Sequence, residues 1–237
     1  MTETKKSQKI SDFKVNPEEM AKAGLHLGHK TSSTHPKMKP FIYGTRSGVH
    51  IIDLEKTAEK MKEALKFIQG LVSEKKTLLL VGTKVQAKEL VKNMAQECGL
   101  PCVSERWLGG TFTNFDTIKK RIDYFKDLEK LKATGEWEKY TKKERIKIDK
   151  ELAELQVKFG GIKNLTLLPD AILVLDMRKD IAAIKEAKIK GVKIVAIAHT
   201  NVDPTLVDYP IPANDDAIPS IKYILDKVKE VILKAKE

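Results

Sequence analysis

The sequence predicts an α/β fold: a parallel sheet flanked by helices, with a helical hairpin inserted into it. Three observations predict it. Three apolar runs without alternation, Thr77–Val81, Ala171–Asp176 and Val192–Ala198, have the make-up of strands covered on both faces. Amphipathic helical patterns separate them, and strand–helix–strand alternation implies parallel pairing with crossovers. One long charged stretch, Thr117–Gly160, breaks that rhythm with two apolar stripes of its own.

Taken in order, Asn16-Pro17 is an N-cap followed by proline at the first helical position of PEEMAKA. FIYGTRSGVHII, residues 41–52, is a β-hairpin pattern with Arg46-Ser47-Gly48 in its turn. Leu54–Ser73 repeats apolar residues at helical spacing from Leu54 to Val72. Val85–Cys98 and Ile181–Lys190 are helices ended by Gly99 and Gly191. Pro101–Ser104 and Tyr209–Pro212 are short strands, the latter placed at a sheet edge by its prolines. Ala217–Lys236 closes the chain as a helix with Ile221, Ile224, Leu225, Val228 and Val231 on one face.

In Thr117–Gly160, Ile118, Ile122, Phe125, Leu128 and Leu131 form one stripe and Ile148, Leu152, Leu155 and Phe159 a second. A capping box, Thr141 to Glu144, starts the second helix, so the stretch is an expected antiparallel hairpin. Its exposed faces are basic, with twelve Lys/Arg against seven Asp/Glu from Thr117 to Lys150. The expected layout is a mobile basic tail over 1–15, an α/β domain over 16–116 and 161–230, the hairpin over 117–160, and a C-terminal tail over 231–237.

The net charge of +11 and the pI near 9.4 speak to partners, not to fold. The most informative segment runs from Ala21 to His50 and contains no Asp or Glu. Given the acid content of the chain, such a run arises by chance at roughly the one-in-a-hundred level. It carries Lys22, Lys30, Lys37, Lys39 and Arg46 with His26, His29, His35 and His50. Absence of repulsive carboxylates suits a segment facing phosphates, where each neutralised charge releases a counterion.

Other chemistry is thinly marked. Gly82-Thr83-Lys84 stands at a strand-to-helix turn where α/β folds seat phosphates, yet it has neither GxGxxG nor GxxxxGK[ST]. A nucleotide- or sugar-phosphate-binding enzyme is the alternative reading that this turn keeps open. Leu108-Gly109-Gly110-Thr111 is either a glycine nest for phosphate or a tight turn. The histidines lack the i, i+4 metal spacing and have no Cys or carboxylate close by in sequence, so no metal is expected. Asp176, Asp180, Asp203, Asp208, Asp215 and Asp216 lie near strand ends, and Asp215-Asp216 is explained by the helix start that follows. No catalytic spacing is identifiable. Cys98 and Cys102 are expected to be reduced thiols. No apolar run reaches the ~18 residues of a membrane span, and MTETKKSQKI has no signal-peptide core.

Four motifs in order, AGLHLGHKTSSTHPKMKPFIYGTRSGVHIIDLEKT, SERWLGGTFTNFDTI, LPDAILVLD and HTNVDPTLVDYPIPANDDAI, resemble the signatures of the bacterial small-subunit ribosomal protein S-two family, from about Asn16 to Glu230. The resemblance implies a Rossmann-like domain with a protruding coiled-coil insertion and no enzymatic activity or cofactor. It also implies a structural role in the cytoplasmic ribosome, contact with small-subunit rRNA, and help in holding protein S-one. It places RNA contacts at Lys22, His26, His29, Lys30, Lys37, Lys39, Arg46 and His50, with Arg106, Gly109, Gly110 and Asn114 in the second signature. Four residues depart from the family pattern: Thr34 and His35 for the Trp-Asn of Trp-Asn-Pro, His199 for the Asp of Asp-Thr-Asn, and Pro219 for a common Arg.

Overall fold

The computed structural model describes residues 15–236, so residues 1–14 of the expected basic tail lie outside the described residues. The chain divides into two compact units. One comprises the described residues of Met1–Lys76 and Val195–Glu237; the other is Thr77–Ile194.

In the first unit, α1 (Pro17–Lys22) opens as its sequence dictates, with the Asn16 side chain accepting from Glu18 N–H and Pro17 in the first turn. Strands β1 (Leu27–Lys30), β2 (Ile42–Arg46) and β3 (Val49–Ile52) form an antiparallel sheet in the order β1-β3-β2. The β2–β3 turn is two residues long, with Ser47 and Gly48 at φ +51° and +75°. Two positive φ values in a two-residue loop match the twist of a hairpin. Helix α2 (Leu54–Ser73) is capped by Asp53, whose carboxylate accepts from Glu55 and Lys56 N–H. Its buried face, from Thr57 and Ala58 to Leu71, packs on α7 (Ile218–Lys236) and on β8 (Tyr209–Pro212). The stretch expected to be a C-terminal tail is helical as far as Lys236, because apolar periodicity continues through Val231 and Ile232, both buried.

In the second unit, β4 (Leu78–Val81) pairs in parallel with β5 (Cys102–Val103) on one side and β6 (Ala171–Val174) on the other. The chain's five-stranded sheet has the order β5-β4-β6-β7-β8, where β7 (Lys193–Ala198) starts in this unit and its residues from Val195 on, with β8, are counted in the first. Every residue of β4 and β6 is buried, which is why these runs show no alternation. Edge strand β8 carries Pro210 and Pro212 at alternate positions, while Ala213 N–H, in the same phase as Tyr209 and Ile211, donates to Ala198 O of β7. The missing proline N–H groups therefore fall on the outer side. Helix α3 (Val85–Cys98) ends at Gly99, and α6 (Ile181–Lys190) at Gly191, both left-handed as a C-cap requires.

The Thr117–Gly160 stretch becomes α4 (Phe115–Ala133) and α5 (Lys142–Phe159), which contact each other and start α5 with the expected Thr141–Glu144 capping box. Burial along their stripes is uneven. Ile122, Phe125, Leu155 and Phe159 are buried, whereas Leu131, Ile148 and Leu152 are half-buried. The segment between them is held by Arg145, which donates through Nε to Tyr140 O at 2.9 Å and faces the Trp137 ring together with Lys132. Among the described residues Cys98 and Cys102 take part in no disulfide. Among the described residues no helix is long and apolar enough to cross a membrane.

Candidate nucleic-acid interface

The acid-free segment is built on the β1-β3-β2 sheet and tied down by backbone. His29 N–H donates to Thr200 Oγ1 at 2.9 Å, and His35 N–H donates to Thr200 O at 2.8 Å. Gly28 makes the close approach possible: a Cβ there would stand 2.7 Å from His50 O and 2.9 Å from Thr200 Cγ2. In the Thr34-His35-Pro36 departure, the His35 ring accepts from Lys37 N–H and caps the short helical turn that follows.

The cations on this frame fall into two kinds. Lys22, Lys30, Lys39 and Arg46 are exposed and take part in no ion pair among the described residues. Lys37 is exposed too, but its ammonium donates to Asp203 Oδ2 at 2.7 Å and to Thr205 Oγ1 at 2.9 Å. The Lys37 ammonium, with Thr205, holds the Asp203 carboxyl well below the usual carboxylate range. A phosphate at Lys37 would have to compete with this carboxylate, whereas Lys39 takes part in no ion pair among the described residues.

The histidines are mostly not presented outward. His26 and His50 are half-buried, with Nδ1 atoms that have no hydrogen-bond partner among the described residues. His29 stacks on His199 with ring centroids 3.8 Å apart and planes 9° from parallel. His29 Nδ1 and His199 Nε2 each lie 3.8 Å from Asp216 Oδ2. The fold thus brings carboxylates to a histidine that has none near it in sequence. Asp215 joins the group, and the four ligand atoms lie within 4.8 Å of one another. Such spacing suits a metal ion, but the ring arrangement does not. Two stacked rings cannot both aim in-plane lone pairs at one ion, and His199 Nδ1 already accepts from Thr200 N–H at 2.7 Å.

In the second signature Arg106 and Asn114 are exposed, at either end of a loop containing Trp107, Gly109 and Gly110. The glycine nest exists, but its occupant is internal. Glu186 of α6 accepts from Gly110 N–H at 2.8 Å, Phe112 N–H at 2.9 Å, Thr113 N–H at 3.1 Å and the Trp107 indole N–H at 3.1 Å. Burial pushes the Glu186 carboxyl up, and these backbone and indole donors outweigh it, holding the group below its ordinary value. The sequence alone did not single out Glu186. The available signal was its place between Ala183, Ile184 and Ala187, on a face that is buried.

The Gly82–Lys84 turn is closed in a similar way. Thr83 Oγ1 donates to Asp180 Oδ1 at 2.8 Å, Lys84 Nζ lies 3.3 Å from Asp176 Oδ2, and Lys179 Nζ donates to Thr83 O at 3.0 Å. A Cβ on Gly82 would meet Val91 and Leu175 at 2.8 and 3.0 Å, so this glycine serves packing. Burial pushes Asp180 up despite its Thr83 bonds. Groups that would receive a phosphate are committed to one another.

The turn where α/β folds seat phosphates is thus closed on internal partners, while Lys22, Lys30, Lys39 and Arg46 stand outward on an acid-free segment. The ribosomal protein S2 family model matches residues 20–235, and the chain belongs to that family, whose members are structural and non-enzymatic. It is 46% identical to the small ribosomal subunit protein uS2 of Coprothermobacter proteolyticus, over 94% of this chain and 83% of that protein. It is 46% and 45% identical to the proteins of the same name from Dictyoglomus thermophilum and Dictyoglomus turgidum, over 92% of this chain and 89% of each.

Proposed function

We propose that this chain is a structural constituent of the small ribosomal subunit in the cytoplasm, docking on small-subunit rRNA and helping to hold protein S-one. The observation that carries the rRNA reading is the set of exposed cations Lys22, Lys30, Lys39 and Arg46 on a segment without a single acid. Charge neutralisation supplies affinity, and the backbone ties to Thr200 fix where the cations stand. His26, His29, His50, Lys37 and the Arg106, Gly109, Gly110 and Asn114 loop complete the proposed contact set. His29, Lys37 and Gly110 act in it chiefly through their internal partners. Recognition favours RNA shape over base sequence. The α4–α5 pair is a protruding insertion in this reading and extends the contact surface.

The test is filter binding of the full chain to small-subunit rRNA across a salt series. Steep loss of affinity with salt is expected, and a flat line overturns the rRNA reading. For protein S-one, small subunits reconstituted with and without this chain are sedimented with S-one. Equal co-sedimentation removes that part of the proposal.

A further inference from the structure

We propose that Glu186 is a positioning residue for RNA contact: its carboxylate fills the anion nest of the 107–113 loop and so fixes how Arg106 and Asn114 are presented. This rests on the rRNA reading above.

Glu186 is buried in the middle of α6, where a carboxylate is costly unless its oxygens are satisfied. It forms no ion pair with Lys or Arg among the described residues; its partners are loop donors. Oε1 accepts from Trp107 Nε1 and Gly110 N, while Oε2 accepts from Phe112 N, Thr113 N and Thr113 Oγ1, the last at 3.2 Å. Five donors on two oxygens leave none of the roughly four lone-pair sites of an ionised carboxylate vacant, with Thr113 N–H and Oγ1 both directed at Oε2. Gly110 is at φ +89°, a conformation that favours glycine and turns its N–H toward Glu186. The T-shaped contact of Trp107 and Phe112, with centroids 4.9 Å apart, packs the two side chains beside this carboxylate. Arg106 and Asn114 are the next residues outward on each side of the gripped segment, and both are exposed. The loop does not take up a free phosphate in its nest; the nest is spent on an internal anion, and the residues flanking it are held ready.

The test is a double-mutant cycle in the full chain with small-subunit rRNA as the probe, at a temperature where circular dichroism shows every variant folded. Glu186→Gln keeps the shape and removes the charge. We expect E186Q and Arg106→Ala each to weaken binding by about tenfold, and the double variant to be weaker than either single by no more than about twofold. Lys39→Ala, in the other unit, should multiply with E186Q in full. If E186Q does not fold, Glu186→Asp, which keeps the charge and retracts it by one methylene, replaces it in the same cycle. Full multiplication of E186Q with R106A overturns the proposal, since Glu186 would then act on stability alone. So does an R106A variant that binds like wild type while K39A is impaired. Wild-type protein that fails to bind the rRNA overturns the underlying reading instead.

Discussion

At the polar turns of the 77–194 unit charges are closed on one another, whereas in residues 21–50 of the other unit most cations point outward. Lys84 faces Asp176, Thr83 donates to Asp180 and accepts from Lys179, and Glu186 fills a backbone nest. Lys22, Lys30, Lys39 and Arg46 have no such partners among the described residues. Basic composition by itself says nothing about which kind a lysine is. Lys37 and Lys39 are two residues apart in an acid-free run, yet only Lys37 reaches a carboxylate, and that carboxylate is 166 residues away. A functional reading from charge counts therefore needs subtraction of the internally paired cations.

The largest expected effect tests that subtraction. Replacing Lys30, Lys39 and Arg46 together by Ala should flatten the slope of log K against log salt by about two to three units, at ~0.7–0.9 per phosphate contact. Near 0.1 M salt this is a loss of about two orders of magnitude in rRNA affinity. Lys37→Ala should change the slope by less than one such contact. A Lys37 effect equal to that of Lys39→Ala would break the distinction between paired and presented cations.

Next come two packing changes, one in each unit. Leu155→Ala, in the buried part of the α4–α5 seam, should cost ~2–4 kcal/mol, and Leu152→Ala, half-buried, clearly less. Equal losses in denaturant melts would mean the seam is uniformly packed. Gly28→Ala should cost about 1–3 kcal/mol, because the added carbon meets His50 O and Thr200 Cγ2. It should also weaken rRNA binding by disturbing the frame that presents the cations. A variant as stable as wild type would show that this approach is not tight.

The parts of this molecule written in local patterns were legible. Leu54–Ser73, Val85–Cys98 and Ile181–Lys190 have the bounds that periodicity and caps imply, since each helix carries its own start and stop. Strand β1 was not legible, because four residues reading Leu-Gly-His-Lys become a strand only by pairing with β3. The family motifs marked Arg106 to Asn114, but not the carboxylate that organises the loop, 76 residues beyond Gly110. The contacts of His29 with His199 and Asp216 were equally hidden, as they depend on where β7 and β8 end.

The smallest expected effect concerns a charge group of intermediate kind, Glu105 in the 77–194 unit. Its carboxylate accepts from Lys88 Nζ at 2.5 Å and Lys92 Nζ at 2.8 Å, and all three side chains are partly exposed. Hydrogen bonds from Lys88 and then Lys92 bring the carboxyl down to about 2. A carboxyl depressed on folding contributes stability above its unfolded pKa, near 4.3, and that contribution is lost as pH falls toward about 2. Solvent screening of so exposed a cluster keeps the contribution to ~1 kcal/mol or less. Urea melts at pH 5 and pH 2.5 should therefore show a slightly smaller loss on acidification in the Lys88→Met/Lys92→Met variant than in wild type. High salt should shrink the wild-type loss toward that of the variant, because both lysines sit where counterions reach them. An identical loss in both proteins at low salt would mean that this cluster, despite its short distances, contributes no more than a loose surface pair.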